Sequence, residues 1–599
     1  QELVNFKAQL ERWLLISMAQ YSKALKAGSA NIKVAFRLIA LWLAHWEEPH
    51  VNEKFDEEIR DEFPWGKLLP LSYQLTSWIS VRDKSAFQRT LKSIVRVLCR
   101  RHPHHCLWHI WALANGKRIP KRQRGASRYV ADDDKVDAAE KLWNELRIEH
   151  GPLLEQMERL GEGYIELAKA DFSSNSGRSD LRMERSLLGR IGELFLVPPL
   201  TLALPLQGFQ DDSDAPHVMG FRGSIELVGG INVPKAIYCA CSDGVERKQL
   251  VKGADDLRQD AVMENLFCIS NELIASDSEA SIRKLRIRNY RVVPLTPCAG
   301  VLQWVENTIP MSAYLVGRNG KEANSAHQRF RPTDWLSYDC RQRLRNAPST
   351  MREVVYEEIC SNFGPVLGNF FLERFHKASD WFDKRLSYTR SVAVSSILGY
   401  IVGLGDRHGA NILLDLDTAE VVHIDLGIAF EQGKTLRTPE LVPFRLTRDV
   451  VDGMGISGVE GVFRRCCEVS LRLLRENKGL LMTAMEVFLY DPLFKWLLSP
   501  IEALQLQENL GEETPINRFG WKALEVQDRS DDIIHLNSEA AKALLRIKDK
   551  LQGYEGNEVT TVEGQVHTLI TDASDPKLLS YMFDGWALEL HELKGIDRD

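Results

Sequence analysis

The chain has 599 residues, of which 44% are hydrophobic and 27% charged, and it carries a formal net charge of −7 at pH 7. This length exceeds what one hydrophobic core usually supports, so roughly three or four domains are expected, and the acidic balance argues against a globally basic nucleic-acid binder. The ten cysteines show no CxxC pair or metal-ligand spacing, no run of about eighteen apolar residues occurs, and the start lacks the basic-then-apolar order of a signal peptide. Free thiols and a soluble, intracellular protein are the expectation.

Residues 1–115 carry apolar positions at helical spacing, as in the run Val34 to Trp42, and read as stacked helix pairs. Gln1 already sits inside such a pattern (Leu3, Phe6, Leu10, Leu14), so the chain reads as a piece of something longer. Residues 116–136 are polar, basic from Lys117 to Arg128 and acidic from Asp132 to Asp134, and read as a solvated loop rather than a nuclear-localisation or DNA-binding patch. His102, His104, His105, Cys106 and His109 fit no structural zinc spacing, and Pro103 reads as a helix start. A helix over about 137–172 and a break at Ser173 to Gly177 follow.

From about residue 195 the pattern turns to strands: Gly223 to Val228, Ala236 to Cys241, a turn at Ser242-Asp243-Gly244, then Arg247 to Lys252. A helix with Leu257, Val262, Leu266 and Ile269 on one side leads to an alternating strand from Leu285 to Leu295 and an apolar one from Gly300 to Val305. Residues 350–402 and about 459–505 read as helical, 506–535 as irregular, with Asn537 or Ser538 capping a helix to about Leu551 and a last helix from about Val566.

The most informative stretch runs from Gly403 to Gly427. Asp406 and Asn411 show the five-residue interval between the catalytic Asp and the metal-binding Asn of the kinase template. Two short apolar runs, Ile412 to Leu414 and Val421 to Ile424, read as a hairpin that returns Asp425 to the same mouth. Asp406 is the expected proton acceptor, and Asn411 and Asp425 the expected ligands of Mg²⁺, with Mn²⁺ as an alternative. His408 follows Asp406, reversing the usual protein-kinase order, and is expected to donate to the γ-phosphate as charge develops. Lys252 ends a strand and Asp260 lies eight residues later on the next helix, the arrangement of a phosphate-binding lysine held by a carboxylate.

Asp406-Arg407-His408 with Asn411, Asp425-Leu426-Gly427 and Asp256-Leu257-Arg258-Gln259-Asp260 resemble the phosphatidylinositol 3-kinase-related protein kinases. Longer strings, such as Val442 to Asp449 and Gly453 to Arg465, resemble the DNA-damage branch, and matches from His102 to Asn115 and from Gly564 to Lys577 extend the likeness over nearly the whole chain. The resemblance implies an α+β fold, bilobal and protein-kinase-like. It divides the chain into the end of a helical FAT region (1–115), a linker and helical segment (116–194), an N-lobe with hinge (195–305), a C-lobe (306–505), a regulatory insert (506–562), and a FATC segment with tail (563–599). It also implies ATP as the cofactor, with Gly229 and Gly230 in the phosphate loop, Gln303, Trp304 and Val305 at the hinge, and Leu413 and Ile424 flooring the pocket. Further implications are a nuclear serine/threonine kinase acting on Ser/Thr-Gln sites in double-strand-break signalling and telomere maintenance, a homodimer, and a break-sensor complex bound through upstream regions. Membrane association is not implied, and direct DNA contact is left open.

Two alternatives share the fold. A phosphoinositide kinase would need several basic groups between Gly427 and Pro443, where Lys434 and Arg437 are balanced by Glu431 and Glu440. An inactive scaffold would have lost Lys252, Asp406, Asn411 or Asp425, and all four are present. Beyond Gly585-Trp586, where the family's chain normally stops within a few residues, this one runs on to Asp599.

Overall fold

The computed structural model describes residues 2–28, 32–60, 63–118, 133–170, 181–183, 186–204, 215–228, 233–317, 324–436, 438–485, 531–555 and 558–582. They fall into two units, one of residues 1–266, 290–304 and 479–495, the other of 267–289, 305–478 and 496–599.

The first unit opens with helices Glu2–Lys26, Ile32–Ala44, Pro49–Ile59, Ala86–Arg101 and Pro103–Ala114. Their core is aromatic: Trp42 stacks on Phe55 with ring centroids 4.3 Å apart and lies 5.0 Å from Phe87. Burying an indole N–H demands a partner, and Asn52 supplies it at 2.8 Å while its own amide donates to the carbonyls of Trp46 and Glu48. Pro103 does start a helix, and among the described residues no group of three or more His, Cys, Asp or Glu side chains could hold a metal. The helix Asp133–Lys169 bends at His150, two residues before Pro152, whose ring cannot continue the preceding hydrogen-bond ladder.

The same unit holds an antiparallel sheet of seven strands. They are β1 (Leu181–Arg182), β2 (Val218–Phe221), β3 (Ser224–Leu227), β4 (Lys235–Cys241), β5 (Glu246–Gly253), β6 (Val292–Thr296) and β7 (Ala299–Gln303), ordered β1-β3-β4-β5-β7-β6 with β2 also on β4. β5 is pinned to the 133–169 helix. Tyr164 donates its phenol to Gln249, whose amide donates to Thr201, and Gly253 lies so close to the carbonyl of Ala168 that no Cβ would fit.

One expected strand is shorter than its pattern. The alternation from Leu285 continues to Leu295, yet only Val292–Thr296 pairs as a strand. Residues before it spend their backbone groups on side chains: Asn271 exchanges two hydrogen bonds of 2.9 Å with the main chain of Ile287, and Glu264 accepts from the Tyr290 amide. Local side-chain acceptors thus replace a neighbouring strand.

In the second unit the helix Ala378–Val402, buried along most of its second half, ends at Gly403, whose φ of 61° is the left-handed cap glycine adopts at least cost. β8 (Thr308–Pro310), β9 (Ile412–Asp415) and β10 (Val421–His423) form a small sheet, with Ile412 opposite His423 and Leu414 opposite Val421. Helix Val462–Glu476 packs on the 378–402 helix and on Val562–Ala573. The helix expected from Asn537 begins earlier, spanning Asp531–Gln552, so Asn537 and Ser538 lie inside it. The irregular 506–530 stretch, most of the basic 117–128 run and the tail 591–599 lie outside the described residues.

Candidate active site

The sequence-predicted site residues divide between the two units. In the first, Lys252 near the end of β5 has its ammonium 3.3 Å from Asp255, a partner that spacing did not single out. Asp260 is buried in the first turn of the helix Arg258–Ser276. One turn on, buried Glu264 is pushed well above the usual carboxylate range, mainly by burial and further by the charge of Asp260, against the opposing amide of Tyr290. Gln303 pairs with Arg291 through main-chain and side-chain hydrogen bonds of 2.8 and 3.1 Å. Trp304 donates its amide to the Lys248 carbonyl, and the Lys248 ammonium sits 4.4 Å from the centre of its indole. Gly229 and Gly230 lie outside the described residues.

The second unit brings Asp406, His408, Asn411 and Asp425 together with Leu413 and Ile424. The Asn411 amide donates to both the carbonyl and the carboxylate of Asp406, at 3.0 and 3.1 Å. The Ile424 amide donates to the Asn411 carbonyl at 3.0 Å, continuing the β9–β10 hairpin to the residue before Asp425. Asp406 and Asp425 both hold left-handed backbones, with φ of 57° and 56°. Such a conformation in a non-glycine residue costs of the order of 1 kcal/mol or more and persists only where neighbours enforce it. The enforcement here is visible. Buried Arg407 donates to the carbonyls of Gly405, Ile424 and Asp425, sewing the two acidic loops together, while buried Arg445 donates to the Arg407 carbonyl.

His408 accepts the Ala410 amide at Nδ1, 3.3 Å away, which places the proton of the neutral ring on Nε2. Nε2 lies 3.6 Å from the Asp406 carboxylate, beyond a direct hydrogen bond. His423 is held neutral, its pKa brought down to about 3 by burial and by the guanidiniums of Arg407 and Arg445.

The donor set suits a hard divalent cation. Asn411 spends its NH₂ on Asp406, which leaves its side-chain oxygen as the donor atom for a cation, and Asp425 is an exposed residue. Two protein oxygens are too few for a closed cage, but they match a Mg²⁺-type ion completed by phosphate oxygens and water.

Several residues here were not legible from spacing. Asp415 and Glu420, at the ends of the polar turn between β9 and β10, are buried against Arg288 and Arg286 rather than solvated. Glu431 faces the Lys550 ammonium at 2.9 Å; burial pushes its carboxyl up, yet Lys550 and Lys434 together bring it down to about 2. Glu440 turns to the backbone of the catalytic loop, accepting from the amides of Asp406 and Arg407. The charge balance read for the 427–443 segment is therefore not that of a free surface, since both acids are engaged internally and Arg437 lies outside the described residues.

Residues 247–498 match the family described as phosphatidylinositol 3- and 4-kinase, and residues 559–587 the FATC domain. The chain is 42% identical over 594 residues to the serine/threonine-protein kinase ATM of Arabidopsis thaliana, and 40% identical over 602 to the serine-protein kinase ATM of Sus scrofa. The chain carries phosphatidylinositol 3- and 4-kinase and FATC domains, and over nearly its whole length it is similar to ATM and Tel1 kinases. These alignments cover 98% and 97% of this chain but only 15% and 20% of the relatives. Among solved structures it is similar to one titled the FAT and kinase domain of CtTel1, with a TM-score of 0.80, 34% identity and coverage of 98% of this chain and 38% of that one. The complete CtTel1 dimer with C2 symmetry matches with the same TM-score and identity over 20% of its chain. The likeness falls in the ATM/Tel1 branch, and the helix-rich FAT-kinase fold is that of the Tel1 structures.

Proposed function

We propose that this chain is the catalytic portion of a serine/threonine protein kinase that transfers the ATP γ-phosphate to Ser or Thr followed by Gln. The observation that carries the reading is the hydrogen-bonded Asp406–Asn411 pair with Asp425 returned beside it, both acids held in strained left-handed backbones. Strain is retained where rigid placement of a reacting group is worth its cost.

In this mechanism Asp406 takes the proton of the acceptor hydroxyl. Asn411 orients it through the hydrogen bond at 3.1 Å. His408, protonated on Nε2, donates toward the γ-phosphate oxygens as charge builds there. Lys252, beside Asp255, would hold the α and β phosphates, with Asp260 its second proposed carboxylate; Gln303, Trp304, Val305, Leu413 and Ile424 are proposed as adenine-binding residues and Gly229 and Gly230 as phosphate-loop residues. Asn411 and Asp425 would hold the divalent ion, assigned as Mg²⁺, which would supply neutralisation of charge on the phosphate oxygens.

The relatives' names support a protein rather than a lipid acceptor. They also support assigning the whole protein to nuclear double-strand-break signalling and telomere maintenance. The dimeric Tel1 structures support a homodimer, and regions upstream of this chain are assigned the contact with a break-sensor complex. The test is a Mg-ATP assay on paired peptides containing Ser-Gln and Ser-Ala, with phosphoinositide vesicles as a third acceptor. Phosphorylation of the Ser-Gln peptide, lost by about 10²- to 10⁴-fold in Asp406→Ala, is expected. Equal rates on both peptides would remove the glutamine preference, transfer to the vesicles would favour the lipid-kinase reading, and undiminished activity in the variant would remove Asp406 as the base.

A further inference from the structure

The Glu440 carboxylate lies where a substrate-facing segment meets the catalytic loop. Its chain is fixed at that point by a 2.9 Å hydrogen bond from its own amide to the Gly433 carbonyl. From there the side chain turns inward, and the carboxylate accepts from two successive main-chain amides, those of Asp406 and Arg407. The fit is close on both sides. A Cβ on Gly405 would lie 2.8 Å from its Oε2, and a Cβ on Gly433 would overlap the same atom. Two glycines thus make room for one carboxylate at the first residues of the catalytic loop.

Left-handed backbone at Asp406, with φ of 57°, leaves its amide pointing away from any helical or strand partner. An acceptor that takes this amide and the next one favours that conformation over the extended or right-handed alternatives, because either would break one of the two bonds. The anion also stays half-buried beside Asp406, an arrangement that costs desolvation and like-charge repulsion and is offset by the paired amides and the charge of Arg407.

We propose that Glu440 is a positioning residue, which clamps the Asp406–Arg407 backbone and so fixes the direction of the Asp406 carboxylate for proton acceptance. The proposal rests on Asp406 being the base, and it ties the conformation of residues 433–440 to turnover: when Glu440 leaves the amides, the loop loses the acceptor that holds it.

The experiment uses the full chain, with steady-state kinetics on the Ser-Gln peptide and hydrogen exchange of the segment 404–408. Glu440→Ala is expected to lower kcat about 10- to 100-fold with KM for ATP changed less than about twofold, and to speed amide exchange in 404–408. Glu440→Gln keeps a side-chain oxygen at the same reach and recovers most of kcat and protection, whereas Glu440→Asp, one methylene shorter, does not. Gly433→Ala, which evicts the carboxylate while leaving it in the sequence, reproduces the loss and guards against a folding defect special to Glu440→Ala. Asp406-dependent activity that is indifferent to Glu440→Ala and Gly433→Ala would overturn the proposal alone. So would equal impairment of the Ala and Gln variants in step with falling thermal stability. Activity that survives Asp406→Ala would overturn the mechanism beneath it as well.

Discussion

Glu264 shows how a single buried group sets pH behaviour apart from catalysis. Its carboxyl is 4% exposed, and burial first, then the neighbouring Asp260 charge, raise its pKa well above 4.5. Below pH 4.5 the group is protonated whether folded or unfolded and contributes no pH dependence. As pH rises, the unfolded chain releases this proton first, so stability declines through the window between 4.5 and the raised folded value. Glu264→Gln is therefore expected to be more stable than the parent at pH 8, with the gap shrinking towards pH 5, as chemical denaturation at the two pH values would measure. The residues proposed for catalysis illustrate which neighbours spacing can bring together. Asp406, Asn411 and Asp425 were legible because a hairpin of fixed length must bring its two ends together. Arg407 was read only as part of a motif, and its three carbonyl contacts depend on backbone directions that a string of letters does not contain.

At the scale of elements, the helix Asp531–Gln552 is held within the second unit by buried Leu544, Ile547 and Leu551 and by one well-placed lysine. Lys550 donates to the Tyr400 carbonyl at 2.8 Å, lies 4.7 Å from the centre of the Tyr400 ring, and pairs with Glu431. Replacing it by Ala removes the shortest of the Glu431 ion pairs, leaving Lys434 at 3.2 Å and Arg546 at 3.7 Å, so Lys550→Ala is expected to loosen this helix by roughly 1 kcal/mol, read as faster amide exchange in 541–552. Acid acts on the same contact. With the Glu431 pKa at about 2 when folded against 4.5 ordinarily, the stabilisation is present above pH 4.5 and is lost as pH falls towards 2. Gly403 marks a second element boundary: its left-handed backbone lies within contact of the Glu431 amide, and Gly403→Ala is expected to cost at least about 1 kcal/mol in thermal denaturation. The FATC segment is joined to its surroundings by comparable bonds. Tyr581 donates to the Ser349 carbonyl, Arg352 to that of Ser580, and the Leu441 amide meets the Met582 sulfur, one residue beyond Glu440.

For the molecule as a whole, the proposed nucleotide site predicts a ligand-dependent stability. A non-hydrolysable ATP analogue with Mg²⁺ at about 100 times its Kd should stabilise the chain by about 2.7 kcal/mol. That increment should fall sharply in Asp425→Asn, in Lys252→Met and on chelation with EDTA, and a thermal-shift titration would record it. An equal shift in Asp425→Asn would remove Asp425 as a metal ligand. The chain spans a fifth or less of the length of the curated relatives it matches.

Local order determined much of this in advance. Apolar spacing marked the N-terminal helices, strand-type runs marked most of the sheet, and the interval from Asp406 to Asp425 marked a hairpin that brings its ends together, because helical period, strand period and hairpin length are properties of adjacent residues. Tertiary structure alone decided where backbone and charge are spent. The strand expected from Leu285 gave way to side-chain hydrogen bonds with Asn271 and Glu264, the acids Asp415 and Glu420 found arginines about 130 residues away, and Glu431 and Glu440 turned to Lys550 and to the backbone of Asp406 and Arg407. A buried charge or amide must find a partner, and which partner is in reach depends on distance in space, which distance along the chain does not encode.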